Sequence, residues 1–250
     1  MIGSMANETE STARPVKRGA KIAEAIAKDI LTRIRKEGLA LGSQLPSEAQ
    51  MVADYSVGRA SLREALRILE LHGLIKIKAG PGGGPVVTGL STKDFGRMAT
   101  LYFESGSMTF REVIDARLVM EPMMARLAAE RRDPKLVGEL LAAGTVTESD
   151  EAYLKSSAKF HRLVASMSGN RVLNLFSHSL EDIFHERVSG MLFPVSRRSE
   201  VVTAHTAIAK AIAKGKATEA ETLMREHMVA YAKYVAKRHP ALMDEVVAWH

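Results

Sequence analysis

The sequence predicts a mainly α-helical protein in two parts, with one small β-hairpin between them. Three observations predict it. Apolar residues recur every three to four positions through most of the chain after Lys17. Aromatic residues make up only 5% of the 250 residues, so aliphatic side chains carry the 46% hydrophobic content. The helical period gives way to strict alternation once, just after Gly73.

Composition narrows the function classes. The chain has no Cys, which excludes a disulfide framework and thiolate chemistry and points to a reducing, cytoplasmic setting. The formal charge is +6, and most of it lies between Lys17 and Lys78. A polyanion is the natural partner for that segment. No apolar run reaches the roughly 18 residues of a membrane span, so no membrane partner is expected. Residues 1–16 are polar, lack a secretory signal and read as a disordered tail.

The first domain is expected over residues 17–89. Ile22, Ile26, Ile30 and Ile34 fall at four-residue intervals, so Lys21 to Arg35 is an amphipathic helix, broken by Gly38 and Gly42. Ser47 and Gln50 form a capping box that opens a short helix burying Val52 and Ala53. Tyr55 to Val57 is a turn. The stretch Gly58 to Gly73 is the third helix, with Gly58 as its cap and Gly73 closing it in the left-handed conformation. Leu62, Ala65, Leu66 and Leu69 form its apolar stripe. Arg59, Arg63 and Arg67 form a second stripe beside it, since residues four apart share a face. Two short helices joined by a tight turn and braced by a longer one make a helix-turn-helix. An Arg row on the third helix suits a DNA major groove, where Arg pairs bidentately with guanine.

After Gly73, Ile75 and Ile77 alternate with Lys76 and Lys78 as a half-buried strand. Residues 79–85 make a turn and Val86 to Thr88 return, so the domain ends in a hairpin wing whose Gly-rich tip can approach phosphates. This loop lacks the Lys-Ser/Thr of a nucleotide-binding P-loop, which excludes ATP on that motif.

The run L-P-S-E, followed by S-V-G-R-A-S-L-R-E-A-L-R-I-L-E-L-H-G-L-I, resembles the winged helix-turn-helix domain of the GntR family of bacterial transcription regulators. The resemblance implies that Arg59 and Arg63 contact operator bases, that Ala60 and Ser61 hold contact positions between them, and that Gly80 holds the wing tip. Two positions depart from the family pattern. Gly58 stands where Ser or Thr is usual, and Ala49 where some members carry a further DNA-binding Arg.

The remainder divides into a linker over residues 90–99 and an all-helical domain over 100–245. Thr109 and Glu112 form a capping box opening a helix to about Arg132. Asp133-Pro134 caps the next helix, with Leu136, Leu140 and Leu141 as its buried side. Further helices are expected from Ser149 to Ser168, Asn170 to about Met191, Ser199 to Lys214 and Ala217 to His239. An antiparallel bundle of six to seven helices is the economical fold. His161, His205 and His227 lie on three different helices of it, so spacing alone does not show that they meet. His178 and His185, one heptad apart, are assigned no function.

The local settings of the first three histidines are similar to the FCD effector domain of the FadR subfamily, over residues 100–240. The resemblance implies a divalent metal on His161, His205 and His227. Three imidazoles with open positions can hold Zn or Ni; the alternative is that the histidines are donors for an anionic ligand without metal. The resemblance also implies a small anionic effector, with Arg117 of the R-x-x-x-E run ending at Glu121 clamping its carboxylate. The alternative for Arg117 is a surface ion pair with Glu121 one turn on. The Asp that many members place four residues before the first His is replaced here by Ser157. The expected protein is a homodimeric regulator of operator DNA, with repression the commoner mode in the family. The alternatives are a metal-dependent hydrolase and an effector-independent architectural DNA binder. The hydrolase lacks a His-Glu-x-x-His motif, a partnered nucleophile and a general base beside the ligands.

Overall fold

The computed structural model describes residues 18–80, 82–143, 149–188 and 195–248. The expected tail of residues 1–16 and the wing residue Pro81 lie outside them. The chain divides into two compact units at Leu90/Ser91.

In the first unit, α1 (Arg18–Lys36), α2 (Glu48–Tyr55) and α3 (Arg59–Leu71) precede an antiparallel hairpin of β1 (Ile75–Lys78) and β2 (Gly84–Val87). Ala23, Ile26, Ala27 and Ile30 of α1 pack with Leu62, Ala65, Leu66 and Leu69 of α3, all buried, together with Met51, Ile75 and Val87. Each fully buried Leu here stabilises the unit by about 1.5–3 kcal/mol. Gly58 caps α3 in extended conformation. At the other end Gly73 takes φ +69°, and the Gly73 and Leu74 amides return to Glu70 and Leu69 carbonyls. That pair of bonds is a Schellman motif, which a side chain at position 73 would strain.

Three local expectations are corrected. Only half of the capping box at Ser47 forms. Its hydroxyl accepts from the Gln50 amide, while the Gln50 side chain turns to Asp54. In α2 the buried residue is Met51; Val52 is half-buried and Ala53 exposed. In β1, Ile75 is buried but Ile77 is 39% exposed, although its partner Pro85 on β2 is buried.

The wing is braced from two sides. The Gln44 side chain donates to the carbonyls of Gly82 and Gly83 at 3.0 and 2.8 Å, and the Glu70 carboxylate accepts from the Ile77 amide at 2.9 Å.

The second unit is helical: α4 (Thr92–Ser105), α5 (Phe110–Arg131), α6 (Pro134–Ala142), α7 (Asp150–Met167), α8 (Arg171–Val188), α9 (Val195–Ala213), α10 (Ala217–Arg238) and the single turn α11 (Pro240–Met243). Among the described residues α4 and α11 are additional to the six helices expected by position. Much of the stretch 90–99, expected as linker, is helical: Ser91 is the N-cap of α4 and residues 92–98 are its first half. Ser91 and Asp94 form a complete capping box there, and the exposed face of the helix hid its period. The box at Thr109 and Glu112 forms as expected, as does the Asp133 cap with Pro134 in the first turn. In α6 Leu140 is buried and Leu136 partly so, but Leu141 is 47% exposed, since it falls a full 100° from Leu140.

The main core joins α5, α7, α9 and α10 through Met124, Ala128, Phe160, Val164, Ile208, Ile212, Met224 and Met228. The small side chains of Ala125, Ala128, Ala209 and Ala220 in the same core leave room for the side chains described next.

Candidate nucleic-acid interface and histidine cluster

The helix α3 presents Arg59, Arg63 and Arg67 to solvent along one side, and its apolar stripe holds the opposite side on α1. Ala60 is exposed and Ser61 half-buried between the first two arginines. Gly80, with φ +97°, lies exposed at the wing tip beyond the exposed Lys76 and Lys78. Of the expected contact residues, Arg59, Ala60, Arg63 and Gly80 are thus exposed and Ser61 is half-buried. One partner was not anticipated. Arg63 Nε donates to Glu48 Oε2 at 3.0 Å, which ties α3 to the first turn of α2.

In the second unit, α7, α9 and α10 bring His161, His205 and His227 together. One ring nitrogen of each lies within 4.8 Å of the others. His205 Nε2 and His227 Nε2 stand 3.2 Å apart. Two imidazoles on one tetrahedral zinc, each about 2.0–2.1 Å from it, would be separated by about 3.3 Å. His205 is stacked flat on Phe160, with ring centroids 3.9 Å apart and planes at 9°. The ring is thus fixed by packing as well as by hydrogen bonding.

The electrostatics favour neutral ligands. Burial pushes the His205 imidazole well below its ordinary pKa, and the neighbouring His161 and His227 add to it. Burial and His161 likewise lower His227, to about 3. Both rings are therefore unprotonated at neutral pH, the form a metal requires. This donor set of three converging, largely buried imidazoles fits a divalent ion.

Glu121 and Arg117 enter the cluster from α5. Glu121 Oε2 accepts from His161 Nδ1. Its Oε1 accepts from both Arg117 Nε and Nη2, each at 2.7 Å. The ion pair expected as the alternative for Arg117 thus exists, but it is buried rather than on the surface, at 10% and 4% side-chain exposure. Burial alone would raise Glu121. Arg117 and His161 overcome it and hold the carboxyl well below the usual range. A second buried carboxylate, Glu181 of α8, is raised by burial and takes Arg162 Nε at 2.9 Å. Neither role could be read from spacing, because each depends on which helices pack around α5. Ser157 sits one turn before His161 on α7 and is half-buried. His178 is half-buried, and the side chain of His185 lies outside the described residues.

A helix-turn-helix with a wing, joined to a helical unit with a buried polar cluster, defines a DNA-binding transcription regulator. The comparisons agree. The family model described as "Bacterial regulatory proteins, gntR family" matches residues 22–84, and that of the "FCD domain" matches residues 112–230. The chain is similar to the HTH-type transcriptional repressor NanR of Enterobacter sp. (strain 638), with 29% identity over 241 residues, 89% of this chain and 90% of that protein. The NanR repressor of Escherichia coli (strain K12) is 28% identical over 230 residues, 86% of this chain and 84% of that one. The solved structure of Streptococcus agalactiae GntR superposes with a TM-score of 0.64 at 25% identity, covering 85% of this chain and 99% of that one. The protein belongs to the GntR family of regulators, with an FCD domain following its DNA-binding domain. Among the described residues no helix is long and apolar enough to cross a membrane.

Proposed function

We propose that the protein is a homodimeric repressor of the cytoplasm that reads a two-fold operator through Arg59 and Arg63. Ala60, Ser61 and the Gly80 wing tip approach the DNA beside them. Its helical unit holds a divalent ion, Zn or Ni, on His161, His205 and His227, and an anionic effector binds beside it. The observation that carries the metal reading is the convergence of three imidazoles from three separate helices. A bound ion would supply a Lewis-acidic, positively charged anchor for an effector carboxylate. Arg117 is engaged by Glu121. Its proposed part is a fixed positive charge at the wall of the effector site rather than a two-pronged clamp.

The test is DNA binding by fluorescence anisotropy on a duplex selected in vitro, with and without added Zn or Ni, across a panel of small carboxylates. The reading expects at least one carboxylate to weaken operator binding only when metal is present. Binding that ignores both metal and carboxylates would favour the architectural alternative.

A further inference from the structure

We propose that Glu121 is the positioning carboxylate of the histidine cluster, fixing which nitrogen of His161 can act as a ligand. The inference rests on the metal-binding reading above.

Glu121 accepts at both oxygens. Oε1 is occupied by two Arg117 nitrogens at 2.7 Å, so Oε2 faces His161 Nδ1. A carboxylate held ionised by Arg117 can only accept, so Nδ1 must carry the proton. In the neutral ring that a metal requires, this leaves Nε2 as the nitrogen with a lone pair to offer an ion shared with His205 and His227. Metal-bound histidines ordinarily donate their other N–H to a carboxylate or carbonyl, which fixes the ring and makes it a better donor. Here the carboxylate comes from α5, one turn beyond Arg117, and the ligand from α7.

The charge balance points the same way. Three imidazole ligands bring no negative charge to a divalent ion, and Ser157 supplies none. Glu121 is ionised, buried and hydrogen-bonded to a ligand, so it places one negative charge one bond network away from the ion. Arg117 offsets part of that charge and prevents the carboxylate from rotating onto the metal itself. Glu121 is therefore an outer partner and not a fourth ligand.

The test uses the full chain. Zinc affinity is measured by chelator competition for wild type, Glu121→Gln and the double variant Arg117→Met/Glu121→Leu. The Gln keeps an acceptor but removes the charge. The double variant removes both buried charges together and avoids stranding Arg117 unpaired. Both are expected to bind zinc roughly tenfold to a hundredfold more weakly than wild type. Two-bond ¹H–¹⁵N spectra of the histidines, recorded without metal, read the second consequence. His161 of wild type is expected to be protonated at Nδ1, and the double variant to lose that preference. A purely structural role for Glu121 would lower melting temperatures without moving the nitrogen signals. Zinc affinities within twofold of wild type in both variants, or unchanged Nδ1 protonation in the double variant, would overturn the proposal. A wild type that takes no zinc sinks the metal reading instead, and the nitrogen spectra then decide the positioning alone.

Discussion

Glu48, in the first turn of α2, holds Arg63 of α3 through a 3.0 Å ion pair between Oε2 and Nε. Both side chains are exposed, at 36% and 71%, so the pair adds little to folding stability. Its consequence is orientational. In the proposed operator complex, with Nε engaged by Glu48, the terminal nitrogens of Arg63 would meet the guanine edge. Arg63→Ala is expected to cost about 1–3 kcal/mol on a selected operator and much less on scrambled DNA. Glu48→Ala should reduce that discrimination while leaving the fold unchanged. Equal tightening on both DNAs would mean that Glu48 acts only by repelling phosphates.

The metal site yields a stability prediction. Added Zn or Ni should raise the melting temperature of the wild type, because an ion bound only by the folded state stabilises it. Ser157→Asp should enlarge the rise by adding a charged ligand beside His161. His205→Ala should abolish it. Differential scanning fluorimetry on the three proteins would show the order, and identical responses to metal in all three would refute it.

The ion-free protein should be acid-sensitive at the same cluster. Burial, reinforced by the adjacent imidazoles, depresses His205 and His227, with His227 at about 3. Glu121 opposes the shift of His227, while Arg117 adds to it. The unfolded chain has histidines near 6.5 and so binds more protons than the folded one below that pH. This stability is complete above about pH 6.5 and is lost as pH falls, by up to about 1.4 kcal/mol per unit for each histidine. Urea titrations between pH 7.5 and 5 should show the decline for wild type and a shallower one for His205→Phe. Parallel curves would assign the acid sensitivity elsewhere.

The helices of the first unit were legible because one face of each is buried against one partner. The Leu62, Ala65, Leu66 and Leu69 stripe is the buried face of α3 residue for residue. The second unit was less so. Its central helices are apolar over much of their circumference, and the solvent-facing Met98 and Tyr102 of α4 blur its stripe, so residues 91–98 read as linker. Ile77 and Leu141 were misplaced because a local period cannot say where a core ends. The three histidines could be named from their settings, but their convergence needed three helices to pack. Glu121 carried a weaker signal. Its i, i+4 spacing from Arg117 indicated the ion pair, while the contact with His161, forty positions away, is tertiary.

The proposed operator reading carries an expectation about assembly. A thirteen-residue helix such as α3 reads too few bases for a unique site by itself, so the proposal expects two copies on a two-fold operator. Sedimentation without DNA should return a dimer, and titration two chains per operator. A monomer that binds one per duplex would contradict this.

In vitro selection from random duplexes tests the central claim most directly, run in parallel for wild type, Arg59→Ala and Arg63→Ala. Wild type should enrich a two-fold symmetric sequence. Each variant should lose preference at a position in both half-sites and keep it elsewhere. No enrichment by wild type, or the same consensus from all three proteins, would contradict sequence reading by α3.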